Sequence, residues 1–250
     1  MDSGTYAACS ALMARSQALD VLSNNLANLN TTGYKGESEF YQAMNAANTA
    51  PGALNAAVNQ FGVVAGEGLN LSGGALQTTG NPLDVAIKGP GFLEVKTAAG
   101  VVYTRAGNLQ AGADGTLETA AGDPVLGVNP AGLAQDKPIK LPSGAVSISS
   151  DGTISVGGAT AGKIRLVEFP ARTNLAPLGS AYVTAPPGSA KPAVASSLAV
   201  GALESSNVNA VQAETDLISL QRHFDLIERA LQVMNTDFDQ TAAVDLPRLS

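Results

Sequence analysis

The sequence predicts an α+β fold: long N- and C-terminal helices pair as a coiled-coil-like core, with a central all-β domain of short strands and hairpins between them. Three observations predict it. Leucines recur at helical spacing near the N-terminus, and a longer apolar series recurs near the C-terminus. Between them, short β-branched and aromatic runs are separated by Gly, Asp and Pro.

The first helix is read over residues 5–30. Leu12, Leu19, Leu22, Leu26 and Leu29 follow the three-four spacing of a coiled-coil seam, with Arg15 as its one break. No Pro or Gly interrupts the stretch, and Gly33 follows it, where helices commonly stop. The last helix carries the cleaner period. Leu217, Leu220, Phe224, Ile227, Leu231, Met234 and Phe238 alternate steps of three and four, and Ala210 and Ala213 extend the series backwards. Asn209 is a good N-cap, with Gln212 three residues on, and Ser206 and Asn207 compete for the role. Residues 204–207 read better as a capping segment than as a site loop.

Strands are expected at residues 85–87, 91–95, 101–103, 148, 154–156 and 164–167. Asp114-Gly115-Thr116 and Asp151-Gly152-Thr153 read as hairpin turns of one reused design. Residues 35–80 are rich in Ala, Gly and Asn with weak periodicity and read as irregular. The expected organisation is therefore a helical segment over 1–34, a connecting region over 35–80, the β domain over 81–203 and a second helical segment over 204–250.

Composition excludes several function classes. Charged residues make up only 14% of the chain, yet 45% is hydrophobic, too apolar for a disordered chain. The net charge is −7 with no basic run, which argues against nucleic acid or an anionic membrane as partner. One cysteine, Cys9, cannot form an internal disulfide and reads as a buried thiol. One histidine, His223, cannot build a multi-histidine zinc site. No apolar run reaches membrane-spanning length. The N-terminus lacks a basic region followed by an apolar stretch, so no cleavable Sec signal is expected.

Candidate chemistry is sparse. Gly89-Pro90-Gly91 lacks phosphate-loop spacing and reads as a strand turn. Asp114 and Asp151 lack the alternating acids of a calcium loop. Asp84 reads as a structural partner for Lys88 or Arg105. No nucleophile elbow is present, and His223 is the single candidate base. No enzyme activity, cofactor or metal is expected.

Asn24, Asn25 and Asn28 fall off the leucine seam. Asparagine is a poor helix former, because its amide competes for backbone hydrogen bonds. Uncharged amides suit a surface touched by other protein, where buried charge is costly. A polar helix end that frays is the alternative, and the residues alone leave both open.

Four stretches resemble a known family. LDVLSNNLANLNTTGYK (19–35), GNPLDVAIKGPGFLEV (80–95), YTRAGNLQAGADGTLETAAGDPVLG (103–127) and GALESSNVNAVQAETDLISLQRHFDLI (201–227) are similar, in order, to segments of the bacterial flagellar rod and hook family. The short chain looks most like its proximal-rod members, with distal-rod or hook-type members next. Gly91-Phe92-Leu93 departs from the family's usual double phenylalanine, and His223 stands where an aromatic is common.

The resemblance implies a structural, non-enzymatic subunit of the basal-body rod, the drive shaft that transmits torque. It implies export through the flagellar type III apparatus without cleavage and helical polymerisation through the terminal helices. Expected partners are copies of the chain and other axial rod proteins. Expected subunit contacts are Leu12, Leu19, Leu22, Asn24, Asn25, Leu26, Asn28 and Leu29, with Leu217, Leu220, Phe224, Ile227, Leu231, Met234 and Phe238. A secreted β-rich binding module is the rival reading, and it requires an exposed aromatic or charged cluster in the β part.

Overall fold

The computed structural model describes residues 2–43, 62–128, 134–171 and 173–245. Among them are two helices, Asp2–Ala27 and Ala210–Asp245, and nineteen strands. The fold is thus mostly β with a helix at each end, and the α+β expectation is corrected on this point. The expected helix-paired core is corrected with it. Among the described residues, both buried hydrophobic clusters are built from β-domain residues and neither contains a helix residue. The physical reason lies in burial. The seam leucines Leu12, Leu19, Leu22, Leu26 and Leu29 are half-buried, whereas Val85, Leu93, Leu117, Val125 and Ile154 are fully buried. Each fully buried aliphatic side chain stabilises by roughly 1.5–3 kcal/mol, so the β region holds most of that energy.

The chain divides into two compact units. One takes in residues 1–26, 37–67 and 209–250, and the other takes in 27–36 and 68–208. The second unit, the β module, carries an antiparallel five-stranded sheet in the order Ala134–Pro138, Leu126–Val128, Ala159–Ile164, Thr153–Val156 and Val146–Ile148. Its six-stranded sheet runs Ala176–Leu178, Tyr182–Thr184, Gly100–Thr104, Phe92–Thr97, Leu166–Glu168 and Lys191–Pro192. Edge strands of these sheets carry Pro138, Pro177 and Pro192. Proline offers no N–H to an incoming strand, so it suits an edge.

The larger core packs Val85, Leu93, Leu117, Ile139, Ile154 and Ile164 together. A smaller one joins Phe92, Val167, Leu175 and Val183. Beside it, Phe169 meets Phe92 and Tyr103 edge to face at 5.6 and 4.9 Å.

The two Asp-Gly-Thr turns share one construction. Asp114 accepts from the Thr116 N–H and hydroxyl at 3.0 and 2.7 Å, and Asp151 does the same with Thr153 at 3.1 and 2.8 Å. These bonds hold both carboxyls below the usual range, Asp151 at about 2. Gly115 and Gly152 supply the left-handed residue. Gly89-Pro90-Gly91 is a turn between Val85–Lys88 and Phe92–Thr97. Three strands, Glu37–Ala43, Gly62–Leu69 and Leu76–Thr78, lie in the stretch read as irregular.

Candidate functional site

A buried polar site of the β module is a clasp in which residues 31–36 meet residues 201–207. The N-terminal helix ends at Ala27, and a turn follows in which Thr31 donates to the Asn28 carbonyl and side chain at 3.2 and 3.0 Å. Gly33 then takes φ +69°. A Cβ there would lie 2.3 Å from the Ala106 nitrogen and the Arg105 carbonyl carbon, so glycine alone fits this close approach. On the other side, Ala202–Glu204 pairs antiparallel with Leu76–Thr78, and Ser197–Val200 with Val85–Lys88.

Backbone and side-chain bonds sew the two segments together. Gly33 N–H donates to the Glu204 carbonyl at 2.7 Å. Gly36 N–H donates to Asn207 Oδ1 at 2.8 Å, and the Asn207 amide donates to the Asn70 and Ser72 carbonyls at 2.7 and 3.1 Å. At the centre lies a buried ion cluster. Lys35 Nζ donates to Glu204 Oε1 at 2.6 Å and to the Ser72 carbonyl at 2.6 Å. Arg105 Nη1 lies 3.3 Å from Glu204 Oε2, and its Nη2 donates to the Gly89 carbonyl at 2.7 Å. The Gly74 N–H adds a donor to Glu204 Oε1 at 2.9 Å. The Arg105 guanidinium also stands 5.0 Å over the Phe92 ring, a cation–π contact.

Lys35, Arg105 and Glu204 are 4%, 3% and 1% exposed. Two cations and one anion therefore share a site that water barely reaches. Burial pushes the Lys35 ammonium below its ordinary pKa, with the Glu204 contact pulling the other way and Arg105 adding to the depression. Charges this deep are stable only in company, because the loss of one partner leaves the rest uncompensated.

The expected contact residues divide by environment. Asn25 is buried, and its amide binds the Glu37 backbone in both directions. Its Nδ2 donates to the Glu37 carbonyl at 2.9 Å, and Glu37 N–H donates to its Oδ1 at 2.8 Å. Asn28 caps the turn after the helix, while Asn24 is exposed. On the last helix, Ala213 and Leu220 are buried and Leu217, Phe224 and Ile227 half-buried. Val211, Ile218, Leu226 and Val233 are 72%, 51%, 61% and 59% exposed on the opposite face. Asn209 caps this helix through the Gln212 N–H at 3.2 Å. The expectations for Cys9 and for the side chains of Leu231, Met234 and Phe238 lie outside the described side chains.

Sequence reasoning missed the clasp. Asp84 accepts from Asn81 at 3.0 Å, and it is Glu204 that pairs with Arg105. Lys35 and Glu204 are 169 residues apart, and no local pattern links them. A signal was nevertheless present, since each is a lone charge in a neutral stretch, Thr31–Gly36 and Gly201–Asn209. Among the described residues no group of three or more His, Cys, Asp or Glu could hold a metal ion, and no helix is long and apolar enough to cross a membrane.

Residues 6–35 match the family Flagella basal body rod protein. Residues 86–156 match the Flagellar hook protein FlgE/F/G D1 domain, and 199–244 match Flagellar basal body rod FlgEFG protein C-terminal. The chain is similar to the flagellar basal-body rod protein FlgF of Caulobacter vibrioides, 32% identical with 92% of this chain and 93% of the relative covered. It is equally similar to FlgG of Agrobacterium fabrum, 32% identical over 95% of each. FlgG of Bacillus subtilis is 33% identical over 88% of this chain and 90% of the relative. With both clasp segments inside or bordering the matched ends, and relatives aligned along nearly the whole length, the chain belongs to the flagellar basal-body rod protein family, among its FlgF and FlgG members.

Proposed function

We propose that the chain is a structural, non-enzymatic subunit of the flagellar basal-body rod, in the proximal rod, polymerising helically through its two terminal helices with copies of itself and with other axial proteins. The observation that carries this reading is the full-length likeness to proteins named as basal-body rod proteins. The surface of the last helix supports it. One face holds Leu217, Leu220, Phe224 and Ile227, and the opposite face exposes Val211, Ile218, Leu226 and Val233. A helix apolar on two sides suits a position between neighbours. Met13, 71% exposed, gives the first helix a similar contact point.

The subunit reaches the flagellum through the type III export apparatus without cleavage, and it works by transmitting torque. The likeness to FlgF relatives favours the proximal position, while the FlgG relatives of equal identity favour the distal rod as second reading.

The test is Leu220→Glu and Ile218→Glu in the full chain, one variant for each face. Both leave the β module folded by its circular dichroism, and cells carrying either as the sole copy build no complete rods. Complete, rotating flagella in both strains overturn the proposal. A density map of basal bodies, read for where the β module lies along the axis, separates proximal from distal rod.

A further inference from the structure

We infer that Glu204 is the closing element of the β module: residues 31–36 dock only when residues 201–207 are already in place, so the two ends of the module become ordered together and only in a chain complete to that point. The inference concerns the module alone and holds whether or not the chain polymerises.

Four observations lead there. First, Lys35 and Arg105 approach one buried carboxylate, at 2.6 and 3.3 Å, and both are at least 96% buried. Without Glu204 their docking brings two like charges into one dry site, which is strongly unfavourable. Second, the backbone stitches run the same way. The Gly33 N–H needs the Glu204 carbonyl, the Gly36 N–H needs the Asn207 side chain, and the Asn207 N–H reaches the Tyr34 carbonyl at 3.4 Å. Third, Glu204 is positioned without the N-terminal segment. The strand Ala202–Glu204 pairs with Leu76–Thr78, and the Ser205 N–H donates to the Ala75 carbonyl. Fourth, the fit is close at both rims. A Cβ on Gly33 would meet Ala106 and Arg105, and one on Gly74 would lie 1.9 Å from the Ser205 carbonyl oxygen. The order follows from these facts: strand 202–204 supplies the anion, then 31–36 closes over it with the second cation. An N-terminal portion of the chain, lacking Glu204, holds its cations apart and leaves 31–36 undocked.

The experiment is amide hydrogen exchange on the full chain and on two full-length variants, Glu204→Gln and the double variant Lys35→Met/Glu204→Gln. The reporters are the Gly33 and Gly36 N–H groups, with Leu117 and Val125, which donate within the core, as references. In Glu204→Gln, exchange at Gly33 and Gly36 accelerates by about 100-fold or more, as expected for breaking a buried ion pair, while Leu117 and Val125 change by less than about tenfold. The double variant removes one cation and recovers part of the lost protection. Unchanged protection at Gly33 and Gly36 in Glu204→Gln overturns the inference. So does equal loss at Leu117 and Val125, which makes Glu204 a general stabiliser, and so does a double variant as open as the single one.

Discussion

Replacing Gly33 by alanine isolates how tightly the clasp is built. Two costs act on it. The left-handed backbone at φ +69° disfavours an alanine by about 1–2 kcal/mol. The new Cβ would also sit 2.3 Å from backbone atoms of Arg105 and Ala106, which cannot swing aside as a side-chain tip can. Forcing extra atoms into a packed site costs about 1–3 kcal/mol. A stiffer unfolded chain returns about 0.4–1 kcal/mol. The net expectation for Gly33→Ala is a loss of about 1–4.5 kcal/mol, centred near about 3 kcal/mol. Gly80→Ala is the matched control, with φ +75° and nothing within 4 Å of the added carbon. It should lose no more than about 1.5 kcal/mol, by the same backbone and chain-entropy terms. Urea denaturation reads both variants against the parent. The chain has no tryptophan, so circular dichroism is the suitable signal. Equal losses in the two variants would refute the reasoning, since they would mean that the close approach of 31–36 to 105–106 contributes nothing.

Two further outcomes are expected. Tyr182, pushed up to about 12 by burial and by its bond to Asp123, keeps its proton after an unfolded tyrosine would lose it at 10.0. Its contribution is therefore whole below pH 10 and is lost as pH rises toward 12. Ultraviolet titration of tyrosinate should show a late-titrating group that Tyr182→Phe removes. Asp151 sits at about 2 instead of 3.8, so it stabilises above 3.8 and that margin disappears as pH falls toward 2. Asp151→Asn should cost no more than about 1 kcal/mol at neutral pH, because the group is solvent-exposed. Its stability curve should merge with the parent's near the acid end, and a gap that persists there would contradict the turn's construction.

Features of local origin were legible in the sequence. The two terminal helices follow from their apolar period, the N-cap at Asn209 from its residue type, and both Asp-Gly-Thr turns from composition alone. The weight of the β region was harder to read. Strands of three to six residues, such as Leu117–Thr119 or Leu126–Val128, carry little pattern each, yet together they bury the core. The helices, with long and visible periods, looked like the centre of the fold, yet among the described residues neither buried cluster includes a helix side chain. Asn25 shows the same limit. Its position off the seam was readable, but its bond partner, the Glu37 backbone, lies beyond the helix end. The lone charges Lys35 and Glu204 stood out in neutral stretches, but their pairing with each other and with Arg105 could not be read, because charge pairing across 169 and 99 residues depends on topology and on no spacing in the chain.

The imino acids at the rims of the two large sheets have a consequence for a molecule that must live crowded among its own kind. Pro138, Pro177 and Pro192 deny a stranger's backbone the regular ladder it would need to continue those sheets. Strand-by-strand extension is hindered at these three borders, while the fourth outer strand, Val146–Ile148, carries no proline and relies on its shortness.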